Sequence, residues 1–287
     1  MQQNAPGSIG STERKLAVLP RALGGAGMAG EQRREDRARR GETMSLLIVV
    51  ACVLVVMEIV SRFVPPYIMP SPVVVCRSLA ELMTNHYSDV LITLVRLAAA
   101  IAFSMIVGVL FGLVMGTFRK AGTYLRQLVI LDTGIPALSW MLIAIFWFKN
   151  PEARIFFILT VILLPFYALN VYEGVRAIPK DWIDMIESFR PSRWQVLRYL
   201  VIPHVVPYVF MTTKSTIGYA IRMAIFAELV ASAAGIGARM SFAQSTFRVD
   251  HVLAWTFLLV VLNLALQALL TLTERRLLKW RAEGTVR

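Results

Sequence analysis

The chain has 287 residues, 57% of them hydrophobic and 17% charged, against roughly 25% charged in an ordinary soluble domain. Its net charge of +12 comes from basic clusters set between apolar runs, which is the positive-inside bias of a membrane protein and not a nucleic-acid surface. Two cysteines, three widely separated histidines and the lack of a Walker A loop argue against a disulfide framework, a metal centre or an ATP site built by this chain.

Residues 1–43 carry eight basic and five acidic side chains with little apolar periodicity. That composition predicts a disordered tail. Beyond it, a hydrocarbon core about 30 Å thick calls for roughly 20 apolar residues in a helix. Six stretches meet or approach this length: Ser45–Val64, Val90–Thr117, Tyr124–Phe148, Ile155–Tyr172, Val206–Ala233 and Val252–Thr273. The chain therefore reads as an all-α, polytopic protein with six transmembrane helices over residues 44–281 and a short tail over 282–287.

Alternate connections gather 21 of the 30 basic residues on one side. By the positive-inside rule, both termini and the long segment between spans four and five, residues 176–203, are cytoplasmic. On the opposite side, Pro65–Pro72 predicts a proline-stiffened extended stretch, followed by a short amphipathic helix over Val73–Met83. Gly235-Ile236-Gly237 supplies the free backbone of a turn after the fifth span.

Within the second span, Gly108, Gly112 and Gly116 recur at four-residue spacing, a face that lets another backbone approach closely. The seam is read as packing within the chain, with a gate or a dimer contact as the functional alternative. The fifth span carries Lys214, Arg222 and Glu228. Lys214 lies close enough to the helix end to snorkel. Arg222 sits near mid-span, where insertion costs about 2.5–3.5 kcal/mol. It is expected to face a carboxylate or a watery cavity, with Asp132 and Glu58 as candidate partners. Glu228 lies six positions on, about 240° round the helix, and is not expected to pair with it. A structural ion pair and an anion-attracting pathway both fit these charges.

The connection from Ala177 to Pro203 is long, mixed in charge, and patterned as two short amphipathic helices broken at Arg190-Pro191. Asp184-Met185-Ile186, followed by Glu187 and, after two more residues, by Arg190, and later Ile202-Pro203, resembles the EAA loop of bacterial ABC importer permeases. There the pattern is Glu-Ala-Ala, three residues, Gly, and a closing Ile-x-Leu-Pro. Ser192-Arg193-Trp194-Gln195 is similar to the residues after that glycine in the nitrate/sulfonate/taurine branch. Further stretches are similar to the same branch: Met69-Pro70-Ser71-Pro72, Ile135-Pro136 with Ile145-Phe146-Trp147-Phe148, Tyr172-Glu173-Gly174-Val175-Arg176, Ala227-Glu228-Leu229, and Glu274 to Arg281.

The resemblance implies a permease of the bacterial inner membrane, carrying a small, anion-leaning solute such as nitrate, sulfonate, taurine or bicarbonate. It implies a second permease copy, a dimer of cytoplasmic ATPases that binds ATP and Mg, and an extracytoplasmic solute-binding protein. It assigns ATPase coupling to Asp184, Met185, Ile186, Glu187, Arg190, Pro191, Ser192, Arg193, Trp194 and Pro203. This chain would perform no covalent chemistry. Where the family has glycine, Arg190 departs from it, and Pro191 is expected to hold Arg190 extended. The competing reading is a gradient-driven carrier or channel using Asp132, Arg222 and Glu228.

Overall fold

The computed structural model describes residues 44–45, 48–65 and 67–277, and they are helical, without strands. The tails predicted at residues 1–43 and 282–287 lie outside the described residues. The chain divides into two compact units, Met1–Phe63 and Val64–Arg287.

In the first unit, helix α1 runs over Ile48–Ser61, about 21 Å at 1.5 Å per residue. Its apolar side chains are exposed, as lipid contact requires. Glu58 pairs with Arg62 one turn on (3.1 Å).

Among its described residues the second unit has ten α-helices: α2 (Pro72–Asn85), α3 (Tyr87–Thr117), α4 (Arg119–Thr133), α5 (Ala137–Trp147), α6 (Pro151–Arg176), α7 (Lys180–Ser188), α8 (Arg193–Val196), α9 (Ile202–Ala231), α10 (Ile236–Ser245) and α11 (Val249–Leu277). Among the described residues, four continuous helices are long and apolar enough to cross a membrane: α3, α6, α11, and the run Arg193–Ala231 that contains α9. The third predicted span is bent by 95° between α4 and α5, and counts as a fifth crossing only if the pair is one span. The break falls at Gly134-Ile135-Pro136, where proline removes an amide donor and glycine loosens the backbone. Six crossings are thus not reached among the described residues.

Helix α6 is the axis of the unit. Ile155, Ile158, Leu159, Leu163, Tyr167, Ala168 and Val171 are all at most 1% exposed. Leu97 and Ala100 of α3, Met141 and Ala144 of α5, and Ile217, Ile221 and Ala224 of α9 close around its first half. In lipid such association rests on close packing, since apolar burial alone gives no advantage over acyl chains. The outer faces stay apolar and exposed, as with Val95, Ile106 and Leu110 of α3 and Leu264, Leu269 and Leu272 of α11. The short helix expected over Val73–Met83 is α2. Ser71 caps it, Pro72 opens it, and Ser78 reaches Asp250 of α11 (2.8 Å).

Candidate functional site

The three glycines of α3 all face α6. A Cβ at Gly108 would lie 2.6 Å from the Cβ of Tyr167, at Gly112 2.6 Å from that of Val171, and at Gly116 2.6 Å from that of Val175. The two backbones therefore touch along a seam inside one chain.

At one end of this bundle sits the polar connection. Helix α7 turns Ile183 and Ile186 inward onto Val171, Ile178, Leu200, Val201 and Val205. Asp184, Met185 and Glu187 face outward and are exposed. Trp182 meets the His204 ring edge-on at 5.8 Å, and His204 in turn lies 5.8 Å from Tyr208. Phe189 is 80% and Trp194 65% exposed. A small helix is thus clamped on its apolar side while presenting acidic and apolar side chains to whatever lies beyond.

Arg190 corrects the expectation of an extended residue. Its φ is +50°, the left-handed conformation that glycine adopts most readily. Its amide donates to the carbonyl of Glu187 (2.9 Å), closing the last turn of α7. The break survives by keeping the glycine-like geometry with a bulkier residue. Beyond Pro191, Ser192 caps α8. Its hydroxyl accepts from the Gln195 amide (3.3 Å), and the Gln195 side chain accepts from the Ser192 amide (2.7 Å). This capping box explains Ser192 and Gln195 physically. The expected second short helix is instead the start of a long one. Arg193 and Trp194 open α8, which passes through a π-helical turn (Leu197–Val201) into α9, and Pro203 lies in the first turn of α9.

The opposite end holds a cluster that the sequence reading did not assemble. Glu228 is 0% exposed and pairs with Arg96 of α3 (2.9 Å) and, as expected, not with Arg222. Thr93 donates to the same carboxylate (2.9 Å), as does the Gly237 amide at the start of α10 (2.9 Å). Arg96 also pairs with Glu152 of α6 and donates to the carbonyl of Ala234 (2.8 Å). Asp89 accepts from the Gly235 amide (2.9 Å) and from Arg239 (2.8 Å). Four helices are thereby tied together around satisfied buried charges. Gly235, with φ of +105°, is required there, because a Cβ would land on the Glu228 carboxylate. Arg96 carried a legible signal as an arginine inside a long apolar run. Its partners come from 56 and 132 residues away, and no local pattern joins them.

The remaining two charges occupy separate places. Arg222 is exposed, its Nε donating to the carbonyl of Gly218 (3.1 Å), and it has no carboxylate partner among the described residues. It lines a groove of about 640 Å³ with Phe226, Leu229, Met240, Thr256 and Asn263. Asp132 borders a cavity of about 100 Å³ at the α4–α5 break, with Trp140, Pro165, Phe166 and Tyr219. Its Oδ1 and the Trp140 Nε1 are both buried, and neither makes a hydrogen bond of regular geometry among the described residues. Lys214 pairs with Glu274 of α11 (2.8 Å).

The structure is thus an all-helical membrane unit with a polar helix packed at one end. The family described as the inner membrane component of binding-protein-dependent transport systems matches residues 104–279, and the chain belongs to it. It is 23% identical to the taurine transport system permease protein TauC of Escherichia coli, over 84% of this chain and 89% of that one. It is 33% identical to the bicarbonate transport system permease protein CmpB of Synechococcus elongatus, over 50% of this chain and 52% of the relative. Among solved structures it is similar to the inward-facing methionine ABC transporter MetNI, with a TM-score of 0.59 at 17% identity, covering 69% of this chain and 97% of that one.

Proposed function

We propose that this chain is the membrane-spanning subunit of an ATP-driven importer for a small anionic or zwitterionic solute of the nitrate, sulfonate, taurine or bicarbonate kind. Two copies would form the pathway. Cytoplasmic ATPase subunits would dock on α7, and an extracytoplasmic binding protein would deliver solute at the opposite end. ATP and Mg are then bound by the partner ATPases. Both termini and α7 lie in the cytoplasm on this reading, in keeping with the distribution of basic residues.

The observation that carries the proposal is α7 itself. Its outward face (Asp184, Met185, Glu187) is free, while its inward face is packed against the ends of α6 and α9. Movement imposed on such a helix passes directly into two membrane-crossing helices. The subunit then needs only two packings close in free energy, which nucleotide and solute bias. The gradient-driven reading would have Asp132, Arg222 and Glu228 act together. Glu228 is instead locked to Arg96, and the other two charges line different spaces.

The test is Asp184→Arg in the purified, reconstituted system. Asp184 is exposed, so folding stability should change by no more than about 0.5 kcal/mol. Solute-stimulated ATP hydrolysis should fall to its unstimulated rate. Unchanged coupling in a folded variant would overturn the docking assignment. Affinity purification from native membranes should also recover an ATPase in about equal amount.

A further inference from the structure

At the end of the bundle that carries α7, a second cavity of about 400 Å³ lies between the last turn of α3, the first turns of α4 and the end of α6. Met115, Gly116, Gly122, Arg126, Tyr172 and Arg176 are among its lining residues. Both guanidiniums stand on one aromatic ring, with the Arg126 Cζ 5.5 Å and the Arg176 Cζ 5.7 Å from the Tyr172 centroid. Arg176 also donates to the Tyr172 hydroxyl (3.1 Å). Neither arginine has an ion-pair partner among the described residues. Two like charges gathered on one ring and left unbalanced favour an anion between them.

Helix α4 indicates which anion. Gly122 and Arg126 face the cavity, and Gly122 is so close to α3 that a Cβ would meet the carbonyl of Met115. The other face shows Tyr124, Leu128 and Leu131, at 80%, 60% and 72% exposure, spaced four and three residues apart. The exposed apolar stripe sets α4 against acyl chains, so a basic cavity at its first turns opens at the level of the headgroups. We infer that Arg126, Arg176 and Tyr172 form a site for the phosphate headgroup of an anionic phospholipid. The inference rests on the permease reading only in placing this end of the bundle at a bilayer surface, where anionic headgroups draw basic residues.

The test is native mass spectrometry of the full chain in detergent, titrated with phosphatidylglycerol, phosphatidylcholine or inorganic phosphate. Wild type should bind phosphatidylglycerol roughly tenfold or more tightly than phosphatidylcholine. Arg126→Gln with Arg176→Gln should abolish that preference, and inorganic phosphate should displace little of the lipid. Equal binding of the two lipids by wild type overturns the site, whether or not the variant folds. An unchanged preference in a folded variant also overturns it. Displacement by inorganic phosphate at comparable concentration would assign the cavity to a soluble oxyanion and overturn the lipid. The readout needs neither ATPase nor binding protein, so its failure leaves the importer reading to the co-purification test.

Discussion

Arg190 and Glu228 show what single residues decide here. A non-glycine residue at φ of +50° costs roughly 1–2 kcal/mol, partly offset by the extra chain entropy that glycine would lose. Arg190→Gly should therefore raise thermal stability in detergent by up to about 1 kcal/mol. A drop would mean that the guanidinium makes contacts worth more than the strain. Its effect on coupled ATP hydrolysis then reads out the charge alone. Glu228→Ala should be severe, about 3–5 kcal/mol, because Arg96 is left with a buried, half-satisfied charge. Little folded protein should survive in size-exclusion profiles. Arg96→Met combined with Glu228→Met should recover much of the loss, since the Glu152 side chain is 61% exposed and can be solvated. No recovery would point to Thr93 and the α10 amides as the main partners of the carboxylate. Arg222→Gln, by contrast, removes a charge facing a groove and should impair uptake while leaving the fold intact. Loss of folded protein would make Arg222 structural.

At the scale of elements, periodicity in the sequence located nearly every helix, because apolar runs of membrane length have few alternatives. What it could not supply was continuity. The segment Arg193–Ala231 is one helix, though its first turns read as an amphipathic piece of a loop. The capping box at Ser192 starts it, and a π-helical turn carries it on into α9. Ser192→Ala should cost about 1 kcal/mol and fray the Arg193 end, measurable as faster amide exchange there. The third apolar stretch differs in the opposite sense, being two helices where hydropathy suggests one. Gly134 and Pro136 marked the break, but an angle of 95° depends on how α5 packs against α6 and α9. The glycine seam was legible as a face, whereas its partner was not. Gly112→Val should separate α3 from α6 and cost roughly 1–3 kcal/mol by overpacking. Gly134→Ala, with only the Leu131 carbonyl at 3.3 Å, should be tolerated in the same melting assay.

At the scale of the molecule, polar function is divided between the ends of the bundle. Helix α7 and the basic cavity share one end, and the Arg96–Glu228 cluster holds the other. The polar segment at the first end was legible as a run of adjacent residues. The second is built from side chains far apart in the chain, so only the folded arrangement reveals it. Helix α9 joins the two, and its fixed point sets a gear ratio. Ile202 stands 26 residues from Glu228, about 39 Å along the axis, while Arg222 is only six residues away, about 9 Å. If the cluster is the pivot, a swing at the docking end reaches Arg222 reduced to about a quarter of its amplitude. On the importer reading, a large stroke at α7 would be geared down to a small adjustment beside Arg222, the scale on which a solute of a few atoms is admitted or refused.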